Sequence, residues 1–311
     1  MSDARTILRT CTLQNLPDLD VAVLGALDLF AETPPRQVIP VKWDRILVVG
    51  SGNARSTGEI LFRDMDAVYA DESTIDAALI RHTDIGGALI ISASGGKHAV
   101  PIAQKLKARH IPAILLTNNP TPRAGEFVAG GHIVVFPKNR EPYTYNTSTY
   151  LGMILSETKE DAGVIREFVT STVSPLLTQD FTKWNAYVLI VPARFAALTA
   201  MIRTKFDELF GPFVTGRVFT EEEIKHAKTV STSPRECFIT CGVTNEWYGV
   251  KENRIHIPLP ETADYGAAMA VAYYVVGQIQ KQLPPYFKNN IAEYTSHMSE
   301  IFGEPIRPIV E

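Results

Sequence analysis

The chain has 311 residues, of which 45% are hydrophobic and 21% charged, and its formal net charge is −4. This usage excludes a disordered or fibrous chain, and a length about twice that of a typical domain favours two packed domains. The charges are interspersed without long single-sign blocks, so the sequence lacks the electrostatic footprint of a nucleic-acid or anionic-membrane binder.

Taken in chain order, Leu16, Leu19, Val23, Leu27 and Phe30 recur near helical spacing, which predicts a helix over 7–31 stopped by Pro34 and Pro35. Four short apolar runs follow, at 45–50, 66–69, 88–92 and 113–117, each bounded by Gly, Asp, Ser or Asn. Continuous apolar runs suit strands covered on both faces, and the stretches between them, such as 98–108, are long enough for crossover helices. A parallel, doubly wound sheet is therefore expected. A fifth run at 132–136 leads through a polar segment, 138–149, into an apolar helix at 150–157.

After a helical spacer at 159–177 the pattern begins again. Strands are expected at 187–191, 216–219, 236–240 and 254–258, with an amphipathic helix at 195–209 and a small-residue apolar helix at 265–279. Both halves end in a short strand and then a helix, and duplication of one α/β unit is the economical account.

Three cysteines, Cys11, Cys237 and Cys241, are too few for a disulfide framework, and Cys237 with Cys241 lacks a second ligand pair for zinc. They read as small buried hydrophobes in a reducing cytosol. Asp3 and a polar run stand where a secretory signal would need a basic and then an apolar stretch, and no apolar run reaches membrane-spanning length. A cytoplasmic protein is expected.

In open parallel sheets ligands sit beyond the carboxyl ends of the strands. Two strand-to-helix turns there are rich in small residues. Gly50-Ser51-Gly52-Asn53 follows the first strand, and Ser92-Ala93-Ser94-Gly95-Gly96-Lys97 follows the third. The hydroxyls, flexible backbone and following helix of the second turn make an anion cradle to which Lys97 adds a charge. Neither turn is a Walker loop or a dinucleotide fingerprint.

The Ser92–Lys97 segment resembles the Ser-x-Ser-Gly-x-Thr phosphate turn of the sugar isomerase (SIS) family. A helix, a strand ending in Thr117-Asn118, and a polar loop before an apolar helix follow it in the family's order. Residues 187–280 resemble a second SIS domain, so the layout is similar to the isomerase portion of glucosamine-6-phosphate synthase and to bifunctional phosphoglucose/phosphomannose isomerases. The resemblance implies an α/β protein of two SIS-type doubly wound parallel-sheet domains, flavodoxin-like three-layer αβα sandwiches. Their expected limits are a helical lead-in at 1–40, a phosphosugar-binding domain at 41–158, a catalytic domain at 159–283, and a C-terminal helix and tail at 284–311. It further implies a phosphorylated sugar as ligand, no cofactor or metal, no nucleic-acid or membrane partner, and a homodimer.

Residue by residue, Ser51, Gly52, Asn53, Ser92, Ser94, Gly95, Lys97 and Thr147 are the expected phosphate- and substrate-binding set. The run Lys205-Phe206-Asp207-Glu208 resembles the Lys-x-x-Glu helix of the family's catalytic base, which implies that role for Glu208 beside Lys205, with Asp207 as the alternative. Glu222-Glu223-Ile224-Lys225-His226 is similar to the stretch holding the family's catalytic histidine, which implies His226. The chemistry suits these residue types. Moving a proton between adjacent carbons of an aldose and a ketose needs a carboxylate tuned by burial towards neutral pH. Opening the sugar ring needs a group that titrates near neutrality, as histidine does, and a cation such as Lys205 can stabilise the enediolate. Thr220 and Glu223 also have the spacing of a helix capping box.

The chain departs from the family pattern at Lys97, where a threonine is usual, and at Ala54, where a serine often helps hold phosphate. It departs again at Val191-Pro192-Ala193-Arg194, which lacks the family's glycines, so only the first half is expected to bind phosphate. Two other readings stand beside the isomerase: a non-catalytic sugar-phosphate-binding regulatory protein, and an inactive dimerisation scaffold. No DNA-binding helix-turn-helix is read ahead of residue 41, which counts against a repressor.

Overall fold

The computed structural model describes residues 3–37, 42–128 and 132–311. The boundary expected between residues 40 and 41 lies outside them. The helix expected over 7–31 is instead two helices, α1 (Ala4–Thr10) and α2 (Leu19–Glu32). Between them Asn15 Oδ1 accepts hydrogen bonds from the Thr12 amide and hydroxyl, closing a turn, and Pro17 disfavours helical backbone at Leu16.

The chain divides into two compact units. One comprises Pro34–Lys138 and Gly152–Lys159. It runs β1 (Arg45–Val49), α3 (Asn53–Leu61), β2 (Asp66–Ala70), α4 (Ile75–Arg81), β3 (Gly87–Ile91), α5 (Ala99–Ala108), β4 (Ala113–Thr117) and β5 (Ile133–Val135). All five strands are parallel, in the order β2-β1-β3-β4-β5, which is the flavodoxin-like order. Leu47 and Val49 pack with Leu79, Ile102 and Leu106 on one face of the sheet. On the other face α3 comes so close that a Cβ on Gly58 would lie 2.5 Å from Val48 Cγ1. Because both faces are covered, the strands read as unbroken apolar runs.

The other unit comprises Met1–Thr33, Asn139–Leu151 and Glu160–Glu311. Its elements after α2 begin with β6 (Glu141–Pro142) and α6 (Thr147–Thr158), which carries the chain into the first unit; they continue after the return with α7 (Ala162–Phe168), β7 (Ala186–Val191), α8 (Leu198–Phe210) and β8 (Thr215–Thr220). Then come α9 (Glu223–Ala227), β9 (Glu236–Cys241), β10 (Arg254–Ile257), α10 (Tyr265–Gln282), α11 (Tyr286–Phe302) and β11 (Ile309–Val310). The parallel sheet has the order β10-β9-β7-β8. Read from β8 with β7 as the first strand, this is 2-1-3-4, the first unit's order without its fifth strand, as duplication predicts. The link from β9 to β10 holds only a single 3-10 turn, Lys251–Asn253, where the matching link of the first unit, from β3 to β4, holds α5.

Helix α10 is the hub of this unit, buried along nearly its whole length and packed against α2 and α8. Gly277 is required there, because the Asp20 backbone of α2 occupies the place of a Cβ. A separate two-stranded ladder pairs β6 antiparallel with β11. The three cysteines are free and buried, and burial pushes the Cys237 and Cys241 thiols up to about 12, so they are inert. Among the described residues no helix is long and apolar enough to cross a membrane.

Candidate active site

Helix α8 buries Leu198, Met201, Ile202, Phe206 and Leu209, and on that same apolar stripe sits Lys205, which is fully buried. A buried ammonium is costly unless paired and hydrogen-bonded. Lys205 Nζ donates to the Thr144 carbonyl at 2.5 Å and to Glu208 Oε2 at 2.5 Å, and it lies over the Tyr273 ring at 5.5 Å. The Thr144 carbonyl is presented by an irregular segment in which Thr144 and Asn146 have φ of +76° and +47°, a conformation that costs a non-glycine residue energy and persists only where surrounding contacts hold it. The β6–β11 ladder, extended by the Tyr143 amide donating to the Pro308 carbonyl, anchors one end of that segment.

Glu208 is 23% exposed and lines a cavity of about 480 Å³ between α8 and α11, together with Thr144 and Asp207. Burial raises its pKa, and the Lys205 ammonium opposes that rise without cancelling it. Burial also raises the hydroxyls of Tyr143, Tyr150, Tyr273 and Tyr294, and the nearby Glu208 carboxylate adds to the rise in each. Of these tyrosines Tyr294 lines the cavity with Glu208, and the Lys205 ammonium is paired to the carboxylate from within the protein. Asp207, by contrast, is exposed.

The Ser92–Lys97 turn lies at the carboxyl end of β3, ahead of α5. Ser92 Oγ accepts from the Gly95 amide at 3.1 Å, and Ser94 Oγ accepts from the Gly96 amide at 3.2 Å. Each hydroxyl accepts one bond here and still carries a proton of its own to donate, which is what binding an anion requires. The turn is braced from β4 and the loop after it. Thr117 Oγ1 donates to the Ala93 carbonyl, Asn119 Nδ2 to the Ser94 carbonyl, and the Ala124 amide to the Gly95 carbonyl. Gly95 (φ +61°) and Lys97 (φ +37°) both adopt left-handed backbone, and Lys97 is half-buried.

At the β1 turn, Gly52 (φ +56°) caps α3, and Asn53 is buried as its first residue. Ser51 Oγ donates to Glu72, whose other oxygen lies 3.8 Å from His98 Nδ1. A carboxylate therefore already stands beside Ser51, a poor companion for phosphate and a good acceptor for sugar hydroxyls.

Thr147 is buried, and its amide donates to Glu141 Oε2 at 3.1 Å. Glu141 also accepts from the Ser148 amide and hydroxyl, so this carboxylate fills the N-terminus of α6 that an outside anion would use. The second half repeats the device. Glu160 accepts from the amides of Asp264, Gly266 and Ala267 at the start of α10, and Glu221 accepts from the Ala193 amide in the turn that has lost its glycines.

The capping box expected at Thr220 and Glu223 is present, with reciprocal bonds of 2.8 and 3.1 Å. His226, near the end of the five-residue α9, is exposed and does not line the Glu208 cavity.

No protein-family model matches the chain, and a search of curated proteins finds no relative. Solved structures do match. The C-terminal domain of glucosamine-fructose-6-phosphate aminotransferase from Francisella tularensis is similar over 88% of this chain and 98% of that one, with a TM-score of 0.64 and 10% identity. Glucosamine-6-phosphate deaminase from Thermotoga maritima is similar over 86% and 94%, with a TM-score of 0.63 and 14% identity. The chain has the double SIS fold. Tagatose-6-phosphate ketose/aldose isomerase from Escherichia coli is a further match, over 90% of each chain, with a TM-score of 0.57 and 12% identity. The resemblance read from the Ser92–Lys97 turn and the order of elements holds at the level of the fold.

Within this SIS fold the residues missed by sequence reasoning are Glu141, Thr144 and the four tyrosines whose hydroxyls feel the Glu208 charge. Only a weak signal marks them. Tyr143 stands in an otherwise polar segment, whereas Tyr273 shares its helix with Tyr265 and Tyr274 and is not singled out.

Proposed function

We propose that the protein is a phosphosugar-binding aldose–ketose isomerase, or a related deglycase or amino-sugar enzyme, acting on a hexose phosphate. The observation that carries this reading is the Lys205–Glu208 pair, a carboxylate poised by burial, held by a fully buried lysine and open on one side to a cavity. A group so placed suits removal of a proton from the carbon next to a carbonyl and its return to the neighbouring carbon through an enediol. Lys205 spends its bonds on Glu208 and Thr144, so its part is to position the base. We assign the substrate's phosphate to the Ser92–Lys97 cradle and the sugar's hydroxyls to the adjoining turn of Ser51, Gly52 and Asn53, where Glu72 is the acceptor. The names of the structural neighbours, which carry 6-phosphate sugars, support this ligand class. A cytoplasmic homodimer working without a cofactor completes the proposal.

The test pairs binding with exchange. In a thermal-shift panel, hexose phosphates should stabilise the protein and their unphosphorylated parents should not, because the charge-assisted bonds to phosphate supply much of the affinity. With the stabilising sugar in deuterium oxide, deuterium should enter at the carbon next to the carbonyl. Equal stabilisation by both forms removes the phosphate site. Binding without exchange turns the reading to a non-catalytic sugar-phosphate-binding regulatory protein. One observation favours that second reading: His226 does not line the cavity that Glu208 faces.

A further inference from the structure

The five-stranded sheet reverses its strand order between β1 and β3, the switch point beyond which ligands bind in folds of this topology. The turns after β1 and β3 flank that point, and a carboxylate from the turn after β2 bridges them. Glu72 accepts from Ser51 Oγ with one oxygen, and its other oxygen lies 3.8 Å from Nδ1 of His98. His98 follows Lys97 directly, so its Cα stands about 3.8 Å from that of the last cradle residue. Both Glu72 and His98 are open to a ligand, at 38% and 49% exposure. The acid beside Glu72 has a different task. Asp71 Oδ1 accepts from the hydroxyls and amides of Ser73 and Thr74, which lower its pKa to about 2 and fold the turn that presents Glu72.

With Nδ1 facing the Glu72 carboxylate, the proton on that nitrogen is held there, and Nε2 stands at the other edge of the ring. A sugar hydroxyl both donates and accepts, so it donates to the Glu72 carboxylate and accepts from Nε2 when the ring is charged. A hexose 6-phosphate anchored by its phosphate in the cradle brings carbons 5 and 4 nearest to the anchored end. In the pyranose form the oxygen on carbon 5 is the ring oxygen, so carbon 4 carries the nearest free hydroxyl. We infer that Glu72 and His98 read the hydroxyl on carbon 4, with Ser51 as the positioning residue for Glu72, and that this pair sets which epimer the protein accepts. The pairing rests on the phosphate seat proposed above and adds to it the residues that choose among hexose 6-phosphates.

The experiment titrates the full-length protein by calorimetry with inorganic phosphate and with the 6-phosphates of glucose, galactose and mannose. Galactose differs from glucose only at carbon 4, and mannose only at carbon 2. The affinities for the glucose and galactose esters should differ at least about tenfold, because a site built around one hydroxyl position leaves its polar groups unpaired with the epimer. In Glu72→Gln and in His98→Asn that ratio should fall to within about threefold of unity. The glucose-to-mannose ratio and the binding of inorganic phosphate should stay near their wild-type values in both variants, and the exposure of the two side chains makes the substitutions safe for folding. Equal binding of the carbon-4 epimers by the wild type overturns the inference, and so does a carbon-4 ratio that survives both substitutions. Loss of the carbon-2 ratio together with the carbon-4 ratio reports a general distortion of the turn and overturns it too. Phosphate binding without a carbon-4 preference removes the hydroxyl-reading pair alone, whereas failure of inorganic phosphate and of every ester to bind removes the phosphate seat and the pair with it.

Discussion

Lys205 Nζ and Glu208 Oε2 lie 2.5 Å apart, three residues along one helix, with the lysine fully buried and the carboxyl partly open to a cavity. The asymmetry assigns the roles. Every bond of the lysine is spent inside the protein, and the carboxylate keeps a free edge. Replacing Glu208 by Gln retains shape and an acceptor for Lys205 but removes the base. Turnover should fall about a hundredfold or more while sugar-phosphate binding persists. Glu208→Ala would leave the ammonium without its partner, at a cost of about 3–5 kcal/mol in stability, and would confuse the two effects. Wild-type turnover by the Gln variant would discard Glu208 and bring the exposed Asp207 forward.

Burial raises the Glu208 pKa and Lys205 restrains the rise, so the pH profile carries a signature. The acid limb of kcat/KM should lie above the ordinary glutamate value of about 4.3, and Lys205→Met should shift it to higher pH. Stability follows the same proton. The folded carboxyl holds it more tightly than the unfolded one, so Glu208 contributes most below the unfolded pKa, and that contribution is lost as pH rises through the folded pKa. Across that window the wild-type Tm should decline relative to that of Glu208→Gln. An acid limb at the ordinary value, unmoved in Lys205→Met, would show that the pair does not tune the base.

The cradle separates its two glycines. A Cβ on Gly95 would collide with the Pro122 ring and would sit on a residue with φ of +61°, whereas a Cβ on Gly96 would meet only Ser94 Oγ at 3.5 Å. Gly95→Ala should cost about 1–3 kcal/mol and abolish phosphate binding by displacing the turn from its braces. Gly96→Ala should keep the fold and most of the affinity. Thermal melts and a phosphate-ester titration of the two variants make the comparison, and equal affinity in both would mean that the turn does not hold the anion.

How much the sequence revealed follows from how local each signal is. The strands were legible because both faces of each sheet are buried, which removes polar residues from runs such as Ile46–Val49 and Ile190 with its neighbours. The Ser92–Lys97 turn was legible because left-handed backbone at Gly95 demands a residue type that stands out. The surroundings of Glu208 were not legible. Thr144, Tyr273 and Tyr294 come from segments far apart in the chain and meet only after α10 and α11 have packed. Thr147 carries the residue type of a phosphate ligand, but Glu141, six residues before it, has taken its amide. The break between α1 and α2 was hidden because Leu16 and Leu19 keep helical spacing across a turn set by Asn15 and Pro17.

His226 gives the last prediction. Reciprocal Thr220–Glu223 bonds and the buried Ile224 hold α9 in place, so the exposure of His226 is a fixed feature of the protomer. An imidazole that opens sugar rings must touch its substrate, and this one lies outside the lining of its own Glu208 cavity. The two facts are reconciled if a second copy of the chain completes the site in a two-fold dimer. Light scattering at micromolar concentration should then give twice the mass of the chain. His226→Asn should slow cyclic sugar phosphates far more than open-chain analogues, because only the former need ring opening. Mixing the Glu208→Gln and His226→Asn proteins under subunit exchange should restore part of the activity, since each mixed dimer contains one site with both groups intact. A monomer with full activity would sink the shared site, and so would mixed variants that remain as slow as each alone. If His226→Asn treats cyclic and open-chain substrates alike, the histidine has no part in ring opening, and α9 is a cap on the sheet and nothing more.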